Sequence, residues 1–134
     1  MAVNTDYDNG QCVKNQSKTN YDLRCGRTFA KLASTALTST SGACSMDCSQ
    51  SDSFTYTPTE TASITATGMQ PNQEVRILFL TSGTNSYTIT FGTGMSSTGT
   101  LATGGTSARY FVVRFTANVA GTALYETSRT TAMA

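Results

Sequence analysis

The sequence predicts an all-β protein, with an antiparallel β-sandwich or jelly-roll-like domain preceded by an irregular N-terminal arm. Short runs from Phe54 onward alternate hydroxyl and apolar residues, which is the two-residue period of half-buried strands. In the clearest run, Ser86–Phe91, every second residue is apolar. Glycine, proline and asparagine separate these runs at short intervals, a spacing typical of sandwiches and barrels. Only the segment 28–37 shows a helical apolar stripe.

A change in composition near residue 52 predicts two regions. Residues 1–52 hold all four cysteines and all three lysines and show little alternation. We expect them to form an arm or clamp, with either one helix or an extended segment over 28–37 and a loop or linker over 38–53. Residues 53–134 are expected to form the β-domain.

The strands of the β-domain follow from the alternation and from the turns between them. We expect Glu74–Thr81 to be a central strand, because apolar residues occupy both of its faces towards its end. Ser82–Asn85 reads as a tight hairpin loop to the next strand, and Asn118–Gly121 as a second one. The predicted strands are 54–57, 62–67, 74–81, 86–91, 109–116 and 122–129.

The charge of the chain argues against several classes of partner. Only 13% of its 134 residues are charged and its net charge is +1. We therefore expect no nucleic-acid partner, because no basic stripe is present to neutralise a phosphate backbone. We expect no membrane partner, because the longest apolar run, Ile77–Leu80, is far too short to span a bilayer.

The cysteines are the candidate metal or disulfide residues, and they lie at Cys12, Cys25, Cys44 and Cys48. Four thiolates suit tetrahedral zinc, but the expected pair of C-x-x-C knuckles is missing. An even number also permits two disulfides in three pairings, or a bridge between Cys44 and Cys48 alone. Disulfides, reduced structural thiols and a structural zinc all stay open, and no other cofactor is expected.

The residue types needed for catalysis are scarce, so we predict no catalytic residues and no enzymatic activity. The chain has no histidine, so a serine or cysteine nucleophile lacks its usual base. Its three glutamates, Glu60, Glu74 and Glu126, lie in or beside different predicted strands.

Candidate interface residues lie on the predicted strands. Tyr87 sits on an apolar face and is expected in the core or at an interface. Four arginines lie within predicted strands and need a partner or a wet face: Arg76, Arg109, Arg114 and Arg129. The last three are candidate interface residues. Glu74 and Glu126 are available partners, and we expect pairs between strands or between subunits.

The C-terminal part of the chain is similar to the C-terminal β-domain of bacteriophage virion proteins. The residues that carry this resemblance are Tyr87–Gly92, Ser97–Gly104, Phe111–Phe115 and Tyr125–Met133. Similar endings close small phage decoration, fibre and tail-associated proteins. The resemblance implies an architecture and a virion setting and carries no catalytic signature.

Together these features predict a non-enzymatic phage virion component. We expect a capsid decoration, or cement, protein that forms a homotrimer, binds the major capsid protein on the capsid exterior and is assembled in the host cytoplasm. One alternative is a tail-fibre or adhesin domain that binds host glycans. Another is a secreted carbohydrate-binding module.

Overall fold

A computed structural model describes residues 34–134, which form eleven β-strands and no helix. The all-β class predicted from the sequence is therefore confirmed for this part of the chain. The strands are β1 (Thr35–Leu37), β2 (Ser39–Thr40), β3 (Ala43–Asp47), β4 (Ser53–Tyr56), β5 (Ala62–Thr67), β6 (Glu74–Leu80), β7 (Thr88–Phe91), β8 (Met95–Ser96), β9 (Leu101–Ala102), β10 (Tyr110–Ala117) and β11 (Leu124–Arg129).

The strands are divided between two mixed sheets. The six-stranded sheet has the order β1-β4-β6-β10-β11-β8, and the five-stranded sheet has the order β2-β3-β5-β7-β9. From β3 to β10 the chain changes sheet at every connection, so that neighbours such as β3 and β5 run in the same direction. Five strand pairs of the described residues are parallel: β1–β4, β4–β6, β3–β5, β5–β7 and β8–β11.

The prediction of an antiparallel domain is therefore wrong. Parallel neighbours need a crossover connection, and here a strand of the opposite sheet supplies it. The hairpin predicted at Ser82–Asn85 is also wrong, because β6 and β7 belong to different sheets and do not pair. The hairpin at Asn118–Gly121 is confirmed, with β10 and β11 paired antiparallel. The central position of β6, between β4 and β10, is also confirmed.

The region before residue 53 contributes more structure than its composition predicted. Residues 35–37 form β1, so the helix expected over 28–37 is wrong there, and its first part lies outside the described residues. The loop expected over 38–53 contains β2 and β3. Cys44 and Met46 point inward between exposed small residues, and cysteine packs as a small hydrophobe, so this strand lacks the usual apolar signal. The sheets therefore begin at Thr35, ahead of the predicted domain start.

A single hydrophobic core receives the inward residues of both sheets. Three ring contacts connect Tyr56, Phe79, Phe91 and Phe115, and Phe91 belongs to the five-stranded sheet while the other three belong to the six-stranded one. The ring centroids are 5.9, 6.4 and 5.3 Å apart, within the range of favourable aromatic pairs. The two sheets are thereby held with one side each toward the core and one side each outward.

Candidate functional site

The outward side of the six-stranded sheet combines arginine, aromatic and aliphatic side chains. We call it the arginine face. On β6 and β10 every second residue points outward, because the residues between them are buried. Its members on β4, β6, β10 and β11 are Thr55, Glu74, Arg76, Leu78, Leu80, Tyr110, Val112, Arg114, Thr116, Tyr125 and Ser128.

Two arginines lie directly opposite each other at the centre of this face. The register of β6 and β10 pairs Arg76 with Arg114, and both are exposed. Opposed residues of antiparallel strands have Cβ atoms about 5 Å apart, and like charges in that position repel. Within residues 34–134 the only ion pair is Arg129–Glu126, so no carboxylate of this part of the chain is paired with either arginine.

A buried serine holds one of these arginines in place. Arg76 Nε donates to Ser53 Oγ at 3.0 Å, and Ser53 is 5% exposed. Ser53 Oγ also lies 3.0 Å from Ser34 Oγ. The bond takes one N–H of the guanidinium and leaves its two terminal NH₂ groups available.

Apolar side chains flank the arginines. Leu78 lies opposite Val112 on one side, and both are half-buried. Tyr110 lies opposite Leu80 and also forms a bridge with Met133. Tyr110, Tyr125 and Met133 are 39%, 51% and 42% exposed. Tyrosine, methionine and arginine are enriched in protein interfaces, so this composition is typical of a binding surface.

The outward side of the five-stranded sheet is chemically different. We call it the hydroxyl face. Its side chains are short and polar, and it has no arginine and no large apolar residue. Its members are Ser45, Asp47, Ser63, Thr65, Thr67, Thr88 and Thr90. A hydroxyl surface of this kind remains well hydrated and gains little by burial.

An ionic cluster lies on the inward side of the six-stranded sheet, on β11, which is next to the edge strand β8. The guanidinium of Arg129 donates to Glu126 at 2.8 Å, from Nε to Oε1 and from Nη2 to Oε2. It also contacts the carbonyl oxygens of Gly99 and Thr100 and lies over the ring of Phe91, 5.4 Å from the ring centroid. The Glu126 side chain is only 4% exposed.

A β-bulge brings these two charged residues to the same side. Glu126 and Arg129 are three positions apart, which in a regular strand places them on opposite sides. Here the pairing shifts, so that Phe115 faces Glu126 while Arg114 faces Ser128, and Thr127 is the extra residue. The sequence predicted that Glu126 would pair with an arginine of another strand or another subunit, and this is wrong, because its partner Arg129 lies in the same strand.

The cluster holds the loop 97–100 against β11. Ser97 Oγ donates to Glu126 Oε2 at 2.6 Å, and the backbone N–H of Thr98 donates to the same oxygen at 3.2 Å. Burial alone raises the pKa of Glu126, but the hydrogen bonds from Arg129, Ser97 and Thr98 outweigh it, so the pKa is lowered. Glu126 is therefore ionised at neutral pH and accepts the hydrogen bonds that hold the loop 97–100 against β11.

Two of the four predicted cysteine ligands can be placed, and both are free thiols. Cys44 and Cys48 are buried in the core on either side of Met46. Neither thiol forms a disulfide, so the bridge considered between them is wrong. Burial raises the pKa of both, that of Cys48 to about 11, which keeps the thiols protonated and unreactive. Cys12 and Cys25 lie outside the described residues.

No group of three or more histidine, cysteine or acidic side chains in residues 34–134 is arranged to hold a metal. The described part of the chain also contains no helix long and apolar enough to span a membrane.

The four predicted interface residues do not come together. Arg114 lies on the arginine face, and Arg129 lies in the cluster on the opposite side of the same sheet. Arg109 is half-buried just before β10. Tyr87 precedes β7 and lines a shallow surface dimple with Asn85, whose amide Nδ2 lies 3.3 Å from the tyrosine Oη.

Sequence reasoning missed the pairing of Arg76 with Arg114 and the contribution of Ser97. The alternation places Arg76 and Arg114 on strands, but only the β6–β10 register makes them neighbours. Ser97 lies in a stretch of small residues without any signal that singles it out.

A scan against protein-family models finds no match to this chain, and a search of curated proteins finds none either.

Proposed function

We propose that the protein is a non-enzymatic structural component of a bacteriophage virion, a capsid decoration protein that stabilises the shell. The observation that carries this proposal is the arginine face, an exposed sheet surface with Tyr110, Tyr125 and the Arg76–Arg114 pair. Such a surface serves binding, because its side chains supply contact area and hydrogen-bond donors. The resemblance of the C-terminal strands to phage virion proteins supplies the setting.

In this proposal the two mixed sheets form a β-sandwich, and three copies assemble on the capsid exterior. The cysteine-containing segment that precedes the sheets acts as an arm that clamps the major capsid protein or a neighbouring copy. Stable association needs roughly 800 Å² of buried surface per partner. We expect the arginine face to contribute to that area, with neither nucleic acid nor membrane as a partner.

The proposal is tested with the full-length protein and empty capsids of the phage that encodes it. We expect a trimer in size-exclusion chromatography with light scattering, and co-sedimentation with the capsids. The double variant Tyr110→Ser, Tyr125→Ser should lose at least ten-fold in capsid affinity. The matched variant Thr65→Ala, Thr90→Ala, on the hydroxyl face, should bind as the wild type does. A monomer that never co-sediments with capsids would refute the proposal.

A glycan-binding tail-fibre domain is the second candidate, and the dimple at Tyr87 favours it. The ring of Tyr87 and the amide of Asn85 line this dimple together with Ser82 and Thr103. An aromatic ring beside an amide and hydroxyl groups is suited to stack on a sugar and bind its hydroxyls. Binding on a glycan array that disappears in the Tyr87→Ala variant would establish this candidate in place of the first.

A further inference from the structure

We propose that the Arg76–Arg114 pair is a recognition site for carboxylate side chains of a protein partner, presented between apolar residues. This inference rests on the proposed function and deepens it, because it states the chemistry that the shell protein must offer. The site consists of the two guanidinium groups at the centre of the arginine face and the Leu78–Val112 row beside them.

The first argument is the uncompensated charge. Arg76 and Arg114 face each other across β6 and β10, and the single ion pair of the described residues is elsewhere. Glu74 is two residues from Arg76 on the same strand face, but it forms no ion pair with either arginine. Like charges in direct opposition destabilise a sheet, so a bound carboxylate relieves a repulsion already present in the free protein.

The second argument is that one guanidinium is already oriented. Ser53, which is buried, accepts the Arg76 Nε–H at 3.0 Å. The two NH₂ groups that remain free form a fork that matches the two oxygens of a carboxylate. Binding to a fixed side chain loses less conformational entropy than binding to a free one.

The neighbouring residues favour a protein over other anionic partners. Leu78 and Val112 are apolar and half-buried beside the pair, and Tyr110 and Met133 extend the apolar surface. A nucleic acid or a sulfated polysaccharide needs a longer row of cations, and this face has only two. An acidic residue flanked by aliphatic ones matches both the charge and the apolar rows.

A second copy of the same face is a poor partner. The arginine face carries Arg76 and Arg114 against Glu74, so two such faces in contact would bring together four arginines and two glutamates. The hydroxyl face offers one acid, Asp47, among short polar side chains. Neither outward sheet face of a second copy therefore matches the pair, which favours a different protein as the partner.

The experiment uses the full-length protein and a labelled five-residue peptide that alternates valine and glutamate, followed by fluorescence anisotropy. We expect it to bind at least ten-fold more tightly than the same peptide with glutamine in place of glutamate. The double variant Arg76→Gln, Arg114→Gln should lose this preference. The matched variant Arg109→Gln, outside the face, should keep it.

Three outcomes would overturn the inference. They are no binding of the glutamate peptide up to millimolar concentration, equal binding of both peptides, and displacement of the glutamate peptide by heparin or duplex DNA at lower concentration than by unlabelled peptide. Capsid co-sedimentation of the same variants separates this inference from the proposed function. If the wild type binds the peptide but not the capsids, the proposed function alone is refuted. If the double variant binds capsids as well as the wild type does, this inference alone is refuted.

Discussion

The two sides of the six-stranded sheet use arginine in opposite ways. On the inward side, Arg129 contacts Glu126, Ser97, Gly99 and Thr100 and covers the ring of Phe91. On the outward side, Arg76 has one hydrogen bond to a side chain, and Arg114 faces it across the strand pair. The same residue type is thus saturated with partners on one side and left available on the other.

This difference shows that burial determines whether a charged side chain needs a partner. A charge next to the core must be compensated, because an unpaired buried ion is expensive, and the bulge at Thr127 makes the compensation possible. An exposed charge is hydrated and can remain without a partner. Stability is therefore expected to depend strongly on the inward arginine and weakly, with opposite sign, on the outward pair.

The largest expected effect is that of Arg129→Gln. The substitution leaves the Glu126 carboxylate, 4% exposed, without its cation, and breaking such a pair destabilises a fold by about 3 kcal/mol. It also releases the loop 97–100 from β11. Urea denaturation measures the loss, with Arg114→Gln as the matched control in the same sheet. If the two variants unfolded at the same urea concentration, the contrast between the two sides would be refuted.

The next effect is a dependence on pH that comes from Glu126. Its pKa is lowered in the folded state from the ordinary value of 4.5, so its contribution is complete above that value and is lost as the pH falls through the folded pKa. Glutamine resembles the protonated carboxyl, so Glu126→Gln should differ most from the wild type at pH 7. The difference in unfolding free energy between the two proteins should shrink below pH 4.5.

Thermal unfolding followed from pH 7 to pH 3 measures this difference. Asp47, on the hydroxyl face, serves as the control, because its pKa is also lowered, by hydrogen bonds from Ser49, but it is fully exposed. Asp47→Asn should therefore change the acid profile less than Glu126→Gln does. If the stability difference between the wild type and Glu126→Gln stayed constant over this range, the charge of the carboxylate would not be what holds the loop 97–100 against β11.

The parts of this architecture that the sequence could predict are the local ones. The hairpin of β10 and β11 was predictable, because its turn and its alternation are adjacent along the chain. Glu126 was predictable as a partner for an arginine, but not its pairing within β11, because that depends on the bulge. The crossovers between sheets were not predictable, because alternation shows that one side of a strand is buried but not which sheet the strand joins. For the same reason the Arg76–Arg114 opposition, which depends on register, was not predictable.

The bulge and the early strands could not be predicted from the sequence for two further physical reasons. Thr127 adds one residue to a strand whose side chains otherwise alternate, and nothing in the residue type marks it as the extra one. In β3 the buried positions are Cys44 and Met46, with alanine, serine and aspartate between them. Short polar residues of this kind are typical of loops, so the composition concealed a strand that only its pairing with β5 reveals.

The smallest expected effect concerns the outward pair, and its sign is the informative quantity. Replacing Arg114 with glutamine removes the repulsion from Arg76, so the domain should become more stable, by about 0.5 kcal/mol. Arg76→Gln should give a smaller gain, because it also removes the hydrogen bond to Ser53.

Urea denaturation of both single variants and the double variant forms a cycle that isolates the interaction between the two arginines. The gain should vanish in about 1 M salt, where charges are screened within about 3 Å. A loss of stability in Arg114→Gln that salt does not change would instead show that Arg114 supports the fold through packing, and the two sides of the sheet would then use arginine alike.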